Sequence, residues 1–398
     1  MSHRTSKTRR TLTSLIGLTV AAIAVAGSVL DLRAAAPAGP PILIGSINDV
    51  TGFAATFGTP ERDGQRLAVK AVNDAGGVKG RPLQLVERDT QGDANRSVQY
   101  FEELASDPKV AAIVGFTTSN DANASKGLAT SLKVPMFAFA GAPSYLEGDV
   151  SYLYRMVLAD TYLVQGILKF MKEEKGAKTF ALLMQNDAFG QGAAKVAEKQ
   201  YATHGLTMVA SELFGARDTD VTPQLTRVKS KKPDFILSYA TGLVSAVINK
   251  NREALGMLAT PIIGPQNWGD SAVVQASGTA AEGVLVASSV AGSDPKPGPQ
   301  TVIFNLYREL SGKPLHAGAM WGWDSIHILA AALAKAAPET GNVDRVKLKA
   351  ALDQTELKGA TGTFKFTAKT HELVDPADAV MGIVENGKWI RYGSRTKK

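Results

Sequence analysis

The 398-residue chain contains no cysteine. That excludes thiolate catalysis, cysteine metal sites, disulfides and attachment of a lipid to an N-terminal cysteine. Its five histidines are scattered, with neither the spacing of a ligand cluster nor an H-E-x-x-H run, so metal-assisted hydrolysis has no support. Two S-x-x-K patterns, Ser106 to Lys109 and Ser293 to Lys296, both read SDPK. The proline disrupts the helical turn that would align serine with lysine. A basic stripe with interleaved aromatics is also missing. The formal charge of +7 includes five Lys or Arg and one Asp within residues 1–36, and subtracting their +4 leaves +3. Arg395, Lys397 and Lys398 hold most of what remains, so the body is nearly neutral and nucleic acid is rejected as a partner.

The N-terminus carries the strongest positive signal. Arg4, Lys7, Arg9 and Arg10 precede an uncharged run from Thr11 to Leu30, and Ala34, Ala35 and Ala36 offer a small-residue cleavage site ahead of Pro37 to Pro41. This reads as an export leader over residues 1–36. A membrane anchor is the competing reading, but Thr, Ser and Gly dilute the run. Arg9 and Arg10 also partly match a twin-arginine signal. A product without lipid is diffusible, which points to a periplasm, and no cofactor is expected.

From Ile42 onward, short apolar runs alternate with helical patterns, the signature of parallel sheets built from βα units. Strands are expected at Ile42, Leu83–Glu87, Ala111–Val114 and Pro135–Phe139, and the first helix from Thr59, with Pro60 in its first turn and Gly76-Gly77 as its end. A second series has strands at Thr179–Met184, Met208–Phe214, Phe235–Tyr239, Pro261–Gly264 and Gly283–Ala287, with helices at Thr161–Lys172 and Gly190–Tyr201. Helices at Thr301–Leu310, Met320–Ala336 and Val346–Leu352 follow, then a hairpin at Asn386-Gly387. Two such α/β lobes imply a cleft with the ligand between facing strand ends. The run AFGQGAAK from Ala188 has Lys195 where a dinucleotide fingerprint needs glycine, so it reads as a glycine-assisted helix start.

Several segments, taken in order, resemble the periplasmic solute-binding proteins of ABC importers, of the leucine/isoleucine/valine-binding type. They are IGSINDVTGFAATFG from Ile44, AVNDAGGVKGRPLQLVERD from Ala71, AIVGFTTSNDANAS from Ala112, PMFAFAGAPS from Pro135, QNDAFGQG from Gln185, IIGPQNWGD from Ile262 and GWDSIHILAAAL from Gly322. The resemblance implies a non-enzymatic clamshell with three crossovers, near Arg155, Ser288 and Gly359. One lobe would hold residues 42–155 and 289–359, the other 156–288 and 360–393, with 394–398 a basic tail. It implies a monomer that captures a small carboxylate ligand by hinge closure and presents it to an inner-membrane ABC permease. An exported sensor presenting its ligand to a receptor would need the same clamshell, and a cleft enzyme is the more distant alternative.

The resemblance also places the ligand contacts. Thr117, Thr118 and Ser119 match the loop that holds the ligand carboxylate, where a helix beginning near Asn120 would aim N–H groups at an anion. An ordinary helix cap there would look the same. Ala142 and Ser144 fall in the next contact segment. Phe57 and Phe189 match the aromatics that close the pocket, although either could be a packing residue. Gln266 stands in the segment where amino-acid binders usually carry an acid for the ligand ammonium, with Asp187 and Glu61 as possible replacements. Trp268, two residues away, Trp321 and Trp323 add aromatic surface, with Trp268 the better pocket candidate. Together these suggest an aromatic or apolar acid, with a branched-chain amino acid as the alternative.

Overall fold

The computed structural model describes residues 36–289, 298–312, 314–373 and 380–393. Apart from Ala36, the expected leader lies outside the described residues, as does the basic tail.

The first sheet is wholly parallel. Its strands are β1 (Ile42–Asn48), β2 (Leu83–Asp89), β3 (Val110–Gly115), β4 (Met136–Ala138) and β5 (Leu153–Arg155), in the order β2-β1-β3-β4-β5. Every residue of β3 is buried, as expected of a central strand covered by helices on both faces. At the edge, only Leu83 of β2 is buried, and the rest of the strand is partly or fully exposed. The connections are α1 (Ala55–Asp74), α2 (Ala94–Ser106) and α3 (Ser119–Ser131). α1 begins before the expected Thr59. The Asp49 carboxylate accepts from Gly52 N (2.6 Å) and Ala54 N (2.9 Å), tying down the entering turn, while Thr59 Oγ1 donates to Val50 O. Pro60 therefore lies inside the helix.

The chain then enters α4 (Asp160–Lys169) and builds the second sheet from β6 (Thr179–Gln185), β7 (Thr207–Phe214), β8 (Phe235–Tyr239), β9 (Ile262–Pro265) and β10 (Leu285–Ser288). These are parallel, with α5 (Ala188–Gln200), α6 (Thr222–Ser230), α7 (Val244–Ala254) and α8 (Ser271–Ser277) between them. After β10 come α9 (Pro299–Ser311), α10 (Ala317–Ala336) and α11 (Arg345–Leu352), then a small hairpin of β11 (Glu356–Lys358) and β12 (Thr363–Lys365). Finally β13 (Val380–Glu385) and β14 (Lys388–Arg391) complete the second sheet as antiparallel strands, in the order β14-β13-β10-β9-β8-β6-β7. The turn between them is the expected Asn386-Gly387.

α10 lies along α1 at a distance that only glycine allows. A β-carbon at Gly64 would sit 2.0 Å from Ala319 O, and one at Gly322 would sit 2.1 Å from Glu61 O. The C-terminal part of the chain stays beside the first sheet longer than the sequence suggested. Asp324 of α10 accepts from Ala360 N (2.7 Å) and from Thr361 N (2.8 Å) and Oγ1 (2.6 Å). Arg155 N donates to His371 O at 2.8 Å. His371 thus still lies beside β5, and β13 is the next described strand.

Candidate functional site

The carboxyl ends of strands from both sheets converge on one cleft. β3 leads into Thr117, Thr118 and Ser119, β4 into Phe139 and Gly141, and β5 into Val157, Leu158 and Asp160. From the second sheet come Asp187 and Phe189 after β6, Ala240 and Thr241 after β8, and Gln266 and Asn267 after β9. Phe57 of α1 and Trp321 of α10 form an apolar wall, their rings stacked at 5.7 Å and 10°. Phe139 lies against the same indole at 6.2 Å. On the facing side the Phe189 ring packs on Tyr239 at 4.9 Å.

The hydroxyls after β3 differ in what the protein has already taken from them. The chain reaches them through Phe116, a buried residue at φ 59, which turns the backbone out of the strand. Thr117 Oγ1 accepts from Asp49 N (3.0 Å) and donates to Glu61 Oε2 (2.6 Å), so its proton is committed. Thr118 Oγ1 accepts from Asp121 N (3.1 Å), while Asp121 Oδ2 accepts from Thr118 N (3.3 Å), forming a capping box on α3. Ser119 Oγ accepts from Ala142 N at 3.3 Å. A hydroxyl that has only accepted still has a proton to give. Thr118 and Ser119 thus offer two O–H donors beside the open N-terminus of α3, an arrangement suited to a carboxylate. The N-terminus of α5 faces that of α3, with Ala188 N donating to Asn120 Oδ1 at 3.0 Å.

Two carboxyls counter this positive field. Asp187 accepts from Gly190 N at 2.9 Å and from the Gln185 side-chain amide. Burial raises its pKa, and those bonds oppose the rise. Asp160, 1% exposed, is pushed up to about 8 by burial, against the Arg155 charge and with that of Asp187. Neither is a contact residue on the sequence reading, in which Asp187 stands only as a compensating acid. Asp160 carries no motif signal: only the fold reveals that the crossing after β5 borders the cleft. Glu61 stands behind Thr117, wholly buried, and burial raises its pKa well above the carboxylate range despite the Thr117 bond.

Of the residues singled out in the sequence, Phe57, Thr118, Ser119, Phe189 and Gln266 line this cleft. Ala142 and Ser144 sit one step behind it. Ala142 is fully buried and its carbonyl accepts from Arg155 at 2.8 Å, while Ser144 Oγ accepts from Asn123 at 2.9 Å. Trp268 is corrected from contact to core: it is 0% exposed and its Nε1 donates to Ser238 O at 3.0 Å. An indole drawn under β8 by that bond cannot present its face to a ligand. Trp323 likewise packs on His327, with ring centroids 4.3 Å apart. The tryptophan of the cleft is Trp321.

A larger pocket of about 430 Å³ lies beyond Phe57 and Gln266, bordered by Phe304, Leu315, His316 and Trp389. At its margin His316 Nε2 meets Asp270 Oδ2 at 2.5 Å, joining the start of α10 to the start of α8.

The comparisons agree with this architecture. A leucine-, isoleucine-, valine-, threonine- and alanine-binding protein of Pseudomonas aeruginosa is 24% identical over 351 residues, covering 88% of this chain and 91% of its own. A solved branched-chain amino acid transporter substrate-binding protein, LivJ, from Streptococcus pneumoniae in complex with isoleucine has a TM-score of 0.78 and 25% identity, covering 88% of this chain and 97% of its own. A Rhodopseudomonas palustris ABC-transporter solute-binding protein in complex with 3,4-dihydroxybenzoic acid has a TM-score of 0.77 and 23% identity, covering 88% and 95%. The model of the periplasmic binding protein family matches residues 41–388. A match that spans nearly the whole described chain makes this a member of the periplasmic binding proteins, solute-binding proteins rather than enzymes.

Proposed function

We propose that the chain is the extracytoplasmic solute-binding component of an ABC importer, capturing a small carboxylate between two lobes, each built on one of the sheets. The observation that carries this reading is the pair of uncommitted O–H donors, Thr118 and Ser119, at the open end of α3. Ligand contacts from both sheets would favour the closed form, and a permease in the inner membrane would read closure as occupancy. The leader over residues 1–36 would be removed on passage to the periplasm, where the protein acts as a monomer. Relatives bind both ligand classes considered, isoleucine in one and 3,4-dihydroxybenzoic acid in the other.

The test is calorimetric titration of the exported protein with L-leucine and 3,4-dihydroxybenzoate. The double variant Thr118→Val, Ser119→Ala should weaken whichever acid binds by about a hundredfold or more, given about 1.5–3 kcal/mol for each of two charge-assisted hydrogen bonds. Unchanged affinity in that variant would place the carboxylate elsewhere.

A further inference from the structure

The pocket beyond Phe57 and Gln266 is walled off from the cleft, and Phe57 is the wall. Its ring has Trp321 stacked on it at 5.7 Å and meets His316 edge to face at 4.7 Å. Trp321 lines the cleft, whereas His316 lines the pocket. The bond from His316 to Asp270 continues the partition to the start of α8. Apart from Phe57 and Gln266, the two spaces share no lining residue.

At about 430 Å³ the pocket has the size of an ordinary small-molecule site. Its inner surface is apolar: Leu315 before α10, Val274 of α8 and Trp389 of β14 are buried, and Phe304 of α9 is half-buried. The indole of Trp389 lies against Gly269, where a β-carbon would sit 2.5 Å from the ring, so its place in the wall is fixed. The mouth is basic. Arg308 of α9 holds its guanidinium over the Phe304 ring, 5.4 Å from the centroid, and Lys388 opens β14. Both cations are exposed, both line the pocket, and neither has a carboxylate partner among the described residues. The acid on the lining is already engaged: Asp270 meets His316 and accepts from Ala272 N (2.7 Å) and Val273 N (3.3 Å).

We infer that this pocket is a second binding site, separate from the cleft, for an apolar monoanion such as an alkanoate. The hydrocarbon body lies against Phe304, Leu315 and Trp389, and the carboxylate stays at the mouth with Arg308 and Lys388. Burial of the body supplies most of the affinity, about fourfold for each CH₂ removed from water. The two cations add a smaller factor, because solvent screens exposed charges, but they select the sign of the ligand. α9 and α10 belong to the layer of the first sheet, whereas α8 and β14 belong to the second. An occupant therefore touches both layers at a place the cleft ligand does not reach. The site stands independently of carboxylate capture at Thr118 and Ser119.

The experiment is calorimetric titration of the exported protein with hexanoate and octanoate, and with 1-octanol as the uncharged control. Octanoate should bind roughly tenfold more tightly than hexanoate, and more tightly than 1-octanol. In Thr118→Val, Ser119→Ala its affinity should stay within about threefold of the parent. In Arg308→Gln, Lys388→Gln it should fall by roughly tenfold and the advantage over 1-octanol should disappear. Both substituted cations are exposed, and a melting temperature equal to that of the parent shows that the variant folds. Octanoate that fails to bind the parent, or binds no better than 1-octanol, would overturn the assignment. So would octanoate binding that is lost in the Thr118, Ser119 variant and kept in the Arg308, Lys388 variant, which would put the anion in the cleft. Capture in the cleft is read separately, with L-leucine and 3,4-dihydroxybenzoate, so either reading can fail without the other.

Discussion

A hydroxyl carries one proton and two acceptor positions, and its use in a folded chain depends on which of these the protein has already taken. Three consecutive residues after β3 show the difference. Thr117→Val should destabilise the fold by about 1–3 kcal/mol, because Asp49 N and the buried Glu61 carboxyl each lose a partner. Its urea midpoint should fall, with ligand affinity much less affected. Thr118→Val should do the reverse, costing about 1 kcal/mol for the lost cap but most of the affinity. The same reasoning applies to Trp268. Trp268→Phe removes the hydrogen bond to Ser238 O and should cost about 1–2 kcal/mol of stability, with ligand affinity by titration unchanged. A change in ligand preference would return Trp268 to the cleft. Tryptophan beside a candidate contact looks the same in sequence whether its indole faces the ligand or a carbonyl below the sheet. Phe57, Phe189, Thr118, Ser119 and Gln266 were legible because their segments resemble known loops, whereas Asp160 belongs to no such segment.

Among the elements, the contact between α1 and α10 is the tightest constraint on the first sheet's helical layer. Gly64→Ala would force a methyl against Ala319 O, and the helices would have to separate along their length. A loss of about 1–3 kcal/mol or more is expected, read as a lower urea midpoint at unchanged slope. Since α1 carries Phe57 and α10 carries Trp321, their stacked wall should be disturbed as well. Strong apolar runs located most strands in the sequence: β8 falls on the expected Phe235–Tyr239, and β3 and β6 differ from expectation only at their ends. A three-residue strand has no period to read: β4 was legible only through the longer apolar run around it, and β5, β11 and β12 were not legible. α1 was placed too late because Pro60 normally signals a helix start, and here Asp49, distant in local pattern, holds the turn that precedes it.

For the whole molecule, buried carboxyls make stability depend on pH. Burial pushes Asp121 up to about 7 and Asp160 up to about 8, from a usual 3.8. Between the usual value and the raised one, the folded chain holds a proton that the unfolded chain has lost, so stability falls as pH rises through that window. Asp270 has the opposite sign: burial raises it, but the His316 ring and the N–H groups of Ala272 and Val273 hold it below the ordinary value, so its contribution is lost only in acid. His327, lowered by burial, costs stability only below its usual 6.5. The ligand-free protein should therefore melt at a lower temperature at pH 8.5 than at pH 6.5, and Asp160→Asn should reduce the difference.

The bond between His316 and Asp270 ties the start of α10 to the start of α8. His316 Nδ1 accepts from Gly318 N at 2.9 Å, which leaves Nε2 to carry the proton toward Asp270. His316→Ala should loosen the approach of α10 to α8 and raise the radius of gyration of the ligand-free protein in solution scattering.

The most direct test of the central claim, that the cleft captures a small carboxylate at Thr118 and Ser119, is native mass spectrometry of protein exported and purified without unfolding, with the released ligand identified. The account predicts one small carboxylic acid per chain, absent from the Thr118→Val, Ser119→Ala variant. A bound molecule without a carboxyl group, or the same occupancy in the variant, would contradict it.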